Sequence, residues 1–465
     1  MDLKKNMKIL VYNTLSRKKE MFKPINDNKV GMYNCGPTVY YYAHIGNLRA
    51  YIFADILRRV FEYNGYSVKQ VINITDIGHL SSDADDGEDK MTKGLKREGK
   101  PITMEAMKEL ADFYTEKFLD DLDALNIKRP DVLPKASEHI SEQIDLIRKL
   151  EKRGFIYKTS DGVYFDTEKK TDYGRLAGLN VEKLKERARI EKNPEKRNPA
   201  DFSLWKFNDS IGFESPWGNG FPGWHIECSA MAMKYLGCHF DVHTGGVDHI
   251  PVHHTNEIAQ SEAATGEKFV NYWMHSGFLT IKGDKMAKSE GNFITLNSIR
   301  EKGFNPLSYR YLALTAHYRN PIAFSWESLE SADNALNRLY EIVVDMGNNT
   351  GNINSKYSNK FHKYINDDLD TPKAIALMWD LIKDDSVLPR DKKATILDFD
   401  KIFGLNILNM EYGNIPENVA KLAKERDSAR KNKDWEKSDK LREDIKKLGY
   451  KIKDTDDGFK ITKIN

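Results

Sequence analysis

Short apolar runs separated by turn residues dominate the first 80 positions. MKILVYNT (7–14) and KVGMYNCGPTVY (29–40) read as strands, the second broken by Gly36-Pro37. NLRAYIFADILRRVFEYNG (47–65) has apolar residues at helical spacing and stops at Asn64-Gly65. YSVKQVINITDIG (66–78) returns to strand character. Strand, glycine turn, helix and strand in this order predict a βαβ unit, hence an α/β fold with a parallel sheet.

Residues 91–222 change character: helices, then the β-like GFIYKTSDGVYFDT (154–167). This stretch reads as an insertion between two halves of a sheet domain. The sheet resumes at HFDVHTGG (239–246) and FVNYWMHSGFLTI (269–281). Helical periodicity then takes over in SWESLESADNALNRLYEIVVDMG (325–347) and DLDTPKAIALMWDLI (368–382), with polar GNNTGNINS (347–355) as a loop between them. The predicted division is 1–325, a sheet domain with its insertion at about 91–222; 326–405, a helical bundle; and 406–465, a small terminal module.

Composition narrows the class. A 40% apolar and 31% charged chain of 465 residues fits a soluble globular protein of several domains. The start has no apolar leader core, and no run approaches the roughly 20 apolar residues of a membrane span. Three cysteines exclude a disulfide framework and point to a reducing cytoplasm. The net charge of +2 is uneven: residues 421–465 hold 15 Lys and Arg against 10 Asp and Glu. A basic tail on a near-neutral body points to a polyanionic partner, although a solvated helix face carries the same signature.

The scarce thiols carry the first candidate chemistry. Cys35 lies in YNCGPTVY and Cys228 in GWHIECSAMAM. PVHHTNEIAQSEAA (251–264) reads as a helix starting after Pro251, which places His253 and Glu257 on one face. Two thiols, an imidazole and a carboxylate form a set that zinc takes. No two cysteines stand at zinc-finger spacing, so the fold must assemble the set. His254 is an alternative to His253. Cys238 is an alternative to either thiol, though its apolar, strand-like setting predicts a buried core cysteine. Three inert thiols and a hydrogen-bonded histidine pair also fit the spacing.

A second candidate is TIKGDKMAKSEGNF (280–293), in which Lys285 and Lys288 stand between Gly283 and Gly291. Two compact cations on a glycine-flanked loop suit polyphosphate oxygens, although an isolated pair of this kind is usually a surface turn. His44-Ile45-Gly46-Asn47 opens a helix after a strand, and a helix N-terminus offers backbone N–H groups to an anion. Together they suggest one ATP held between two halves of a sheet.

HIGN resembles the HIGH motif, and KMAKS the KMSKS motif, of class I aminoacyl-tRNA synthetases. YNCGPTVY, ITD, DFSLWK, PGWHIECSAM, HHTNEIAQSE, KMAKSEGNF and HYRNP, in that order, resemble the cysteinyl-tRNA synthetase family from about Asn13 to the C-terminal module. The resemblance implies a Rossmann-like parallel-sheet catalytic domain with an insertion, a helical bundle and a small anticodon-binding module. It implies ATP-dependent ligation of L-cysteine to tRNA(Cys) by a cytoplasmic monomer. One zinc per chain would sit on Cys35, Cys228, His253 and Glu257, which takes His253 over His254 and sets Cys238 aside. Thr75 and Trp224 would wall the amino-acid pocket. His44, Gly46, Asn47, Lys285 and Lys288 would hold ATP and its transition state, and Gly246 and Asp248 would meet adenosine. Mg²⁺ would accompany ATP with no assignable protein ligand. Arg430, Asp439 and Asp454 match base readers, while Trp435 reads as core or as a stacking residue.

The departures are Asn47 for the last histidine of HIGH, Ala287 for the serine of KMSKS, and an acidic loop at 83–89, which reads as a solvated insertion or as a metal or tRNA-gating element. Two other functions compete. A ligase joining activated cysteine to an amino-sugar would lack an anticodon module. A non-catalytic RNA-binding paralogue would not need the lysines and the ligand set. Selection through a metal–sulfur bond also predicts that no editing domain is needed.

Overall fold

The computed structural model describes residues 8–77, 89–178, 194–281, 284–285, 293–347, 349–410, 417–455 and 458–463. Four parallel strands form the central sheet: β1 (Lys29–Asn34), β2 (Ser67–Ile72), β3 (Phe240–Gly246) and β4 (Val270–Ser276), in the order β4-β3-β1-β2. Parallel strands covered on both faces read as near-continuous apolar runs, and β3 is buried along six of its seven residues. Helix α1 (Ile45–Tyr63) crosses from β1 to β2, as its spacing predicts. Helix α2 (Trp224–Leu236) leads into β3, and α3 (His253–Thr265) crosses from β3 to β4.

The register brings the carboxyl ends of the strands level. Asn34 lies opposite both Ile72 and Thr244, and His275 lies opposite Gly245. The chain leaves β1 in one direction across the sheet and β3 in the other. A crevice therefore opens outside the carboxyl ends of β1 and β3, the place where open α/β sheets bind ligands.

Several predicted strands are placed differently. The run 7–14 yields Leu10–Asn13, which pairs antiparallel with Lys18–Met21 in its own two-stranded ribbon. The run 269–281 is broken at Gly277, where a Cβ would stand 2.7 Å from backbone atoms of Arg319 and Asn320. Its second half, Leu279–Ile281, pairs antiparallel with Asp284–Lys285 and parallel with Ile322–Phe324. The insertion contains the helices Lys90–Arg97, Met104–Ala124 and Ile140–Lys152. It ends in an antiparallel sheet of Ile156–Lys158, Gly162–Phe165, Phe202–Phe207 and Gly220–Pro222. Only the first two of these strands lie in the β-like stretch read from sequence. Phe202–Phe207 escapes notice because its first four residues are all buried, so it shows no alternation.

A buried ion network ties α1 to the helix Pro306–Leu314. Asp55 accepts from Arg310 Nη2 at 2.5 Å and from Arg59 Nε at 2.7 Å. Arg310 also donates to the carbonyls of Phe403 (2.6 Å) and Leu125 (3.0 Å). Burial alone would raise the Asp55 carboxyl, but Arg310 and Arg59 outweigh it and hold it below its ordinary value.

The chain divides into two compact units, Met1–Leu336 with Asn349–Leu405, and Asn337–Asn348 with Asn406–Asn465. The helical runs 325–347 and 368–382 yield the helices Trp326–Asp345 and Thr371–Lys383, and the same region adds Ser355–Ile365 and Pro389–Phe403. The second unit holds the helices Glu417–Lys431 and Trp435–Lys447 and the hairpin Tyr450–Thr455/Gly458–Lys463, packed on Val419, Ala423, Ile445 and Ile452.

Candidate metal and nucleotide site

Cys35 directly follows β1, on a loop held by a backbone approach that tolerates no side chain. A Cβ on Gly36 would stand 1.5 Å from the Asn73 carbonyl oxygen. Cys228 faces it from α2, and His253 and Glu257 from one face of α3. The donor atoms of Cys35, Cys228, His253 and Glu257 all lie within 4.8 Å of one another. His253 Nε2 is 3.1 Å and Cys35 Sγ 3.7 Å from Glu257 Oε1. Cys238 is exposed, on the turn between α2 and β3, and not the buried strand cysteine its neighbours predict. Gly237, with φ 92°, ends α2 there and carries the chain outward.

A second group, Cys35, His243, His254 and Glu257, is equally tight. His254 Nε2 lies 3.1 Å from Cys35 Sγ, and its Nδ1 meets His275 Nε2 at 2.7 Å. His243 Nε2 binds Glu257 Oε2 at 3.0 Å, which leaves Oε1 toward His253. Two sulfurs against one favour the first group for a borderline-soft ion such as zinc, and His243 is then the outer partner that orients the carboxylate.

Six of the 12 histidines converge here: His225, His243, His249, His253, His254 and His275, in successive ring contacts. Burial pushes His225, His254 and His275 well below the ordinary imidazole value, so they are neutral. Burial raises the Cys35 thiol, with Cys228 adding to it, while the hydrogen bond from Cys35 draws Cys228 down to about 6. His253 moves up to about 10: burial opposes its charge, but Cys228 and Glu257 prevail. The donor chemistry fits a zinc ion: two sulfurs, an imidazole and a carboxylate in a buried, cation-stabilising nest. Sequence reading singled out only His253 and His254 of these six. The usable signal was histidine standing at apolar strand positions in HFDVHTGG and NYWMHS.

Thr75 and Trp224 border the same cluster. Thr75 Oγ1 donates to Glu227 Oε2 at 2.8 Å, a carboxyl that burial pushes well above its ordinary value and that is absent from the sequence reading. The Trp224 ring lies 4.4 Å from the His253 ring, and Lys90 Nζ stands 4.8 Å over the Trp224 centroid.

The HIGN turn opens α1. His44 is its N-cap, with extended backbone, and His44 Nδ1 accepts from Asn47 N at 3.0 Å. That bond puts the ring proton on Nε2. A Cβ on Gly46 would press on the His44 ring at 3.0–3.1 Å. Gly246 ends β3 beside the crevice, and exposed Asp248 lies in the turn Val247–His249. Asp284–Lys285 forms a short strand, whereas Ala287, Lys288 and most of the acidic loop 83–89 lie outside the described residues.

In the second unit, Arg430 Nη1 stands 3.3 Å from Asp454 Oδ2, and Arg426 pairs with the same carboxylate at 2.7 and 3.1 Å. Asp439 is exposed on the helix Trp435–Lys447. Trp435 is 56% exposed, not core, with the Arg430 guanidinium 5.5 Å over its ring. It opens its helix at the end of a run of exposed residues, 431–437, one turn before the buried Ser438, Leu441 and Ile445.

A parallel sheet with a helix N-terminus and a ligand cluster at its switch point defines the class. Residues 21–334 match the family model for tRNA synthetases class I (C) catalytic domain, and 413–460 match the cysteinyl-tRNA ligase anticodon binding domain. The chain is 47% identical to cysteine–tRNA ligase 1 of Burkholderia lata, over 98% of this chain and 97% of that one. It is 43% identical to cysteine–tRNA ligase of Treponema denticola, over 96% and 98%. Mycobacterium tuberculosis methionyl-tRNA synthetase bound by methionyl-adenylate shares the fold, with a TM-score of 0.55 at 15% identity, over 82% of this chain and 91% of that one. The chain belongs to the cysteinyl-tRNA synthetase family, ATP-dependent ligases among the class I aminoacyl-tRNA synthetases. The anticodon domain is what the amino-sugar ligase reading lacks, and neither competing function finds support. Among the described residues, no helix is long and apolar enough to cross a membrane.

Proposed function

We propose that this site activates L-cysteine with ATP and passes it to the 3′ end of tRNA(Cys), with one zinc ion held by Cys35, Cys228, His253 and Glu257. The observation that carries the reading is the convergence of those four donors within 4.8 Å at the crevice where the HIGN turn also opens. Bound there, zinc supplies a soft Lewis-acid position that takes a thiolate and disfavours a hydroxyl. Thr75 and Trp224 close the amino-acid pocket around the substrate's small side chain.

The cysteine carboxylate attacks the α-phosphate of ATP and pyrophosphate leaves. His44, through Nε2–H, and the side-chain amide of Asn47 donate to phosphate oxygens, with Gly46 allowing close approach. Lys285 and Lys288 offset the charge that grows on those oxygens. Gly246 and Asp248 meet the adenosine, and Mg²⁺ accompanies the phosphates. Discrimination by packing alone reaches roughly 10–200-fold, whereas a site whose buried polar groups the wrong substrate leaves unpaired reaches roughly 10⁴–10⁵, the range we expect of a metal–sulfur bond. No editing step is then required.

Arg430, Asp439 and Asp454 read anticodon bases, with Trp435 as a stacking face. The division is a catalytic domain over 1–325, a bundle over 326–405 and the anticodon module over 406–465, in a cytoplasmic monomer. The test is zinc content measured beside pyrophosphate exchange with cysteine and with serine. Wild type should hold one zinc and exchange only with cysteine. Cys228→Ser should lose zinc and raise the cysteine KM. Metal-stripped enzyme that still prefers cysteine to serine overturns the reading.

A further inference from the structure

Arg49 lies in the second turn of α1 and is 3% exposed. Its guanidinium reaches two chain segments at once. Nη1 donates to the carbonyls of Gly277 (2.7 Å) and Phe278 (2.6 Å). Nη2 donates to Tyr318 (3.3 Å), His317 (3.5 Å) and Asn320. Gly277 and Phe278 lead directly into the strand Leu279–Ile281, and residues 317–320 lead into its parallel partner Ile322–Phe324. The first of these strands runs on into the KMAKS segment.

The far end of that segment is fastened to the same helix. Ile45 N donates to the Ile294 carbonyl at 2.9 Å, and His44 bridges Thr295. Tyr309 Oη donates to the Ile45 carbonyl at 2.6 Å, and the Phe293 ring meets the His44 ring edge-on at 5.7 Å. Both anchors of residues 282–292 are thus tied to the first two turns of α1. Among the described residues Arg49 pairs with no carboxylate. Its buried charge is met by carbonyl oxygens alone, which only a rigid multi-donor fork can do for two segments at once.

We propose that Arg49 is a positioning residue for adenylate formation: it fixes the strand Leu279–Ile281, which leads into the KMAKS segment, against the helix that presents His44 and Asn47. The proposal rests on the reading that these two motifs share one ATP. Lysine keeps the charge but lacks the planar fork, and methionine keeps only the volume. A displacement of about 1 Å in such a constellation costs about 100-fold in rate.

The experiment measures pyrophosphate exchange for Arg49→Lys, Arg49→Met and, in parallel, Lys288→Ala, with thermal melting and zinc content on each. Arg49→Met is expected to lose about 100-fold in kcat, with Arg49→Lys between it and wild type. Cysteine KM and zinc content should stay as in wild type. If Arg49→Met does not fold, the kcat of Arg49→Lys decides. Folded Arg49 variants with wild-type kcat, beside a depressed Lys288→Ala, overturn the role of Arg49 alone. So does a kcat loss that comes with a matching loss of zinc or a raised cysteine KM, since that marks general damage. Near-normal exchange by Lys288→Ala instead overturns the shared-ATP reading beneath the proposal.

Discussion

His243 Nε2 lies 3.0 Å from Glu257 Oε2, and both side chains are fully buried. The contact joins β3 to α3 and turns the other carboxylate oxygen toward His253 and the thiols. A buried carboxylate with one oxygen engaged has a fixed orientation, which a metal ligand needs.

Removing that partner should loosen the metal without touching a donor atom. His243→Ala is expected to lower zinc affinity by about 10–100-fold, read by chelator competition against wild type. Zinc retention equal to wild type would place His243 outside the ligand support.

The Asp55–Arg310 pair makes a stability prediction. Arg310→Ala leaves Asp55 buried with Arg59 as its remaining cation and takes the guanidinium from the carbonyls of Phe403 and Leu125, while Arg59 still donates to that of Asn126. Breaking a buried pair from one side costs about 3–5 kcal/mol. Urea unfolding should show that loss, and a change within the error of the measurement would mean solvent replaces the guanidinium.

Asp121 supplies a pH dependence. Burial raises its carboxyl from 3.8 to about 6, and Arg300, 3.9 Å away, offsets only part of this. The folded state therefore holds the proton more tightly than the unfolded chain. The contribution to stability is full below pH 3.8, is lost as pH rises through 6, and leaves the ionised group as a burden at neutral pH. Asp121→Asn should stabilise the protein at pH 8 by about 1–3 kcal/mol and flatten the dependence between these values. Unfolding curves at pH 5 and pH 8 test it, and a variant no more stable than wild type at pH 8 contradicts it.

Trp435 tests the anticodon module. Its exposed ring beside Arg430 suits an unstacked base, and such stacking is worth about 1–3 kcal/mol per base. Trp435→Ala should raise the KM for tRNA while leaving cysteine-dependent exchange unchanged. Unchanged tRNA charging would assign the ring to the surface alone.

Much of this protein was legible as a linear pattern. The helical spacing of 47–65 and the flanking apolar runs specified one βαβ unit, because period and turn residues are local properties. The motifs around Cys35, His44 and Cys228 named residues that the structure brings to one end of the sheet, because each carries its chemistry within a few residues. The sequence by itself therefore determined the class of fold, the family and the residue types at the site.

The tertiary structure decided what depends on distant contacts. Whether 7–14 joins the main sheet, where 269–281 breaks, and how Phe202–Phe207 pairs are set by partners far away in sequence. The same holds for Trp435, which stands at the exposed start of its helix, and for Cys238, which lies on the exposed turn after Gly237. The ring of buried histidines and the grip of Arg49 on two segments are likewise products of packing. Burial and hydrogen-bond geometry are properties of surfaces brought together, and no local pattern encodes them.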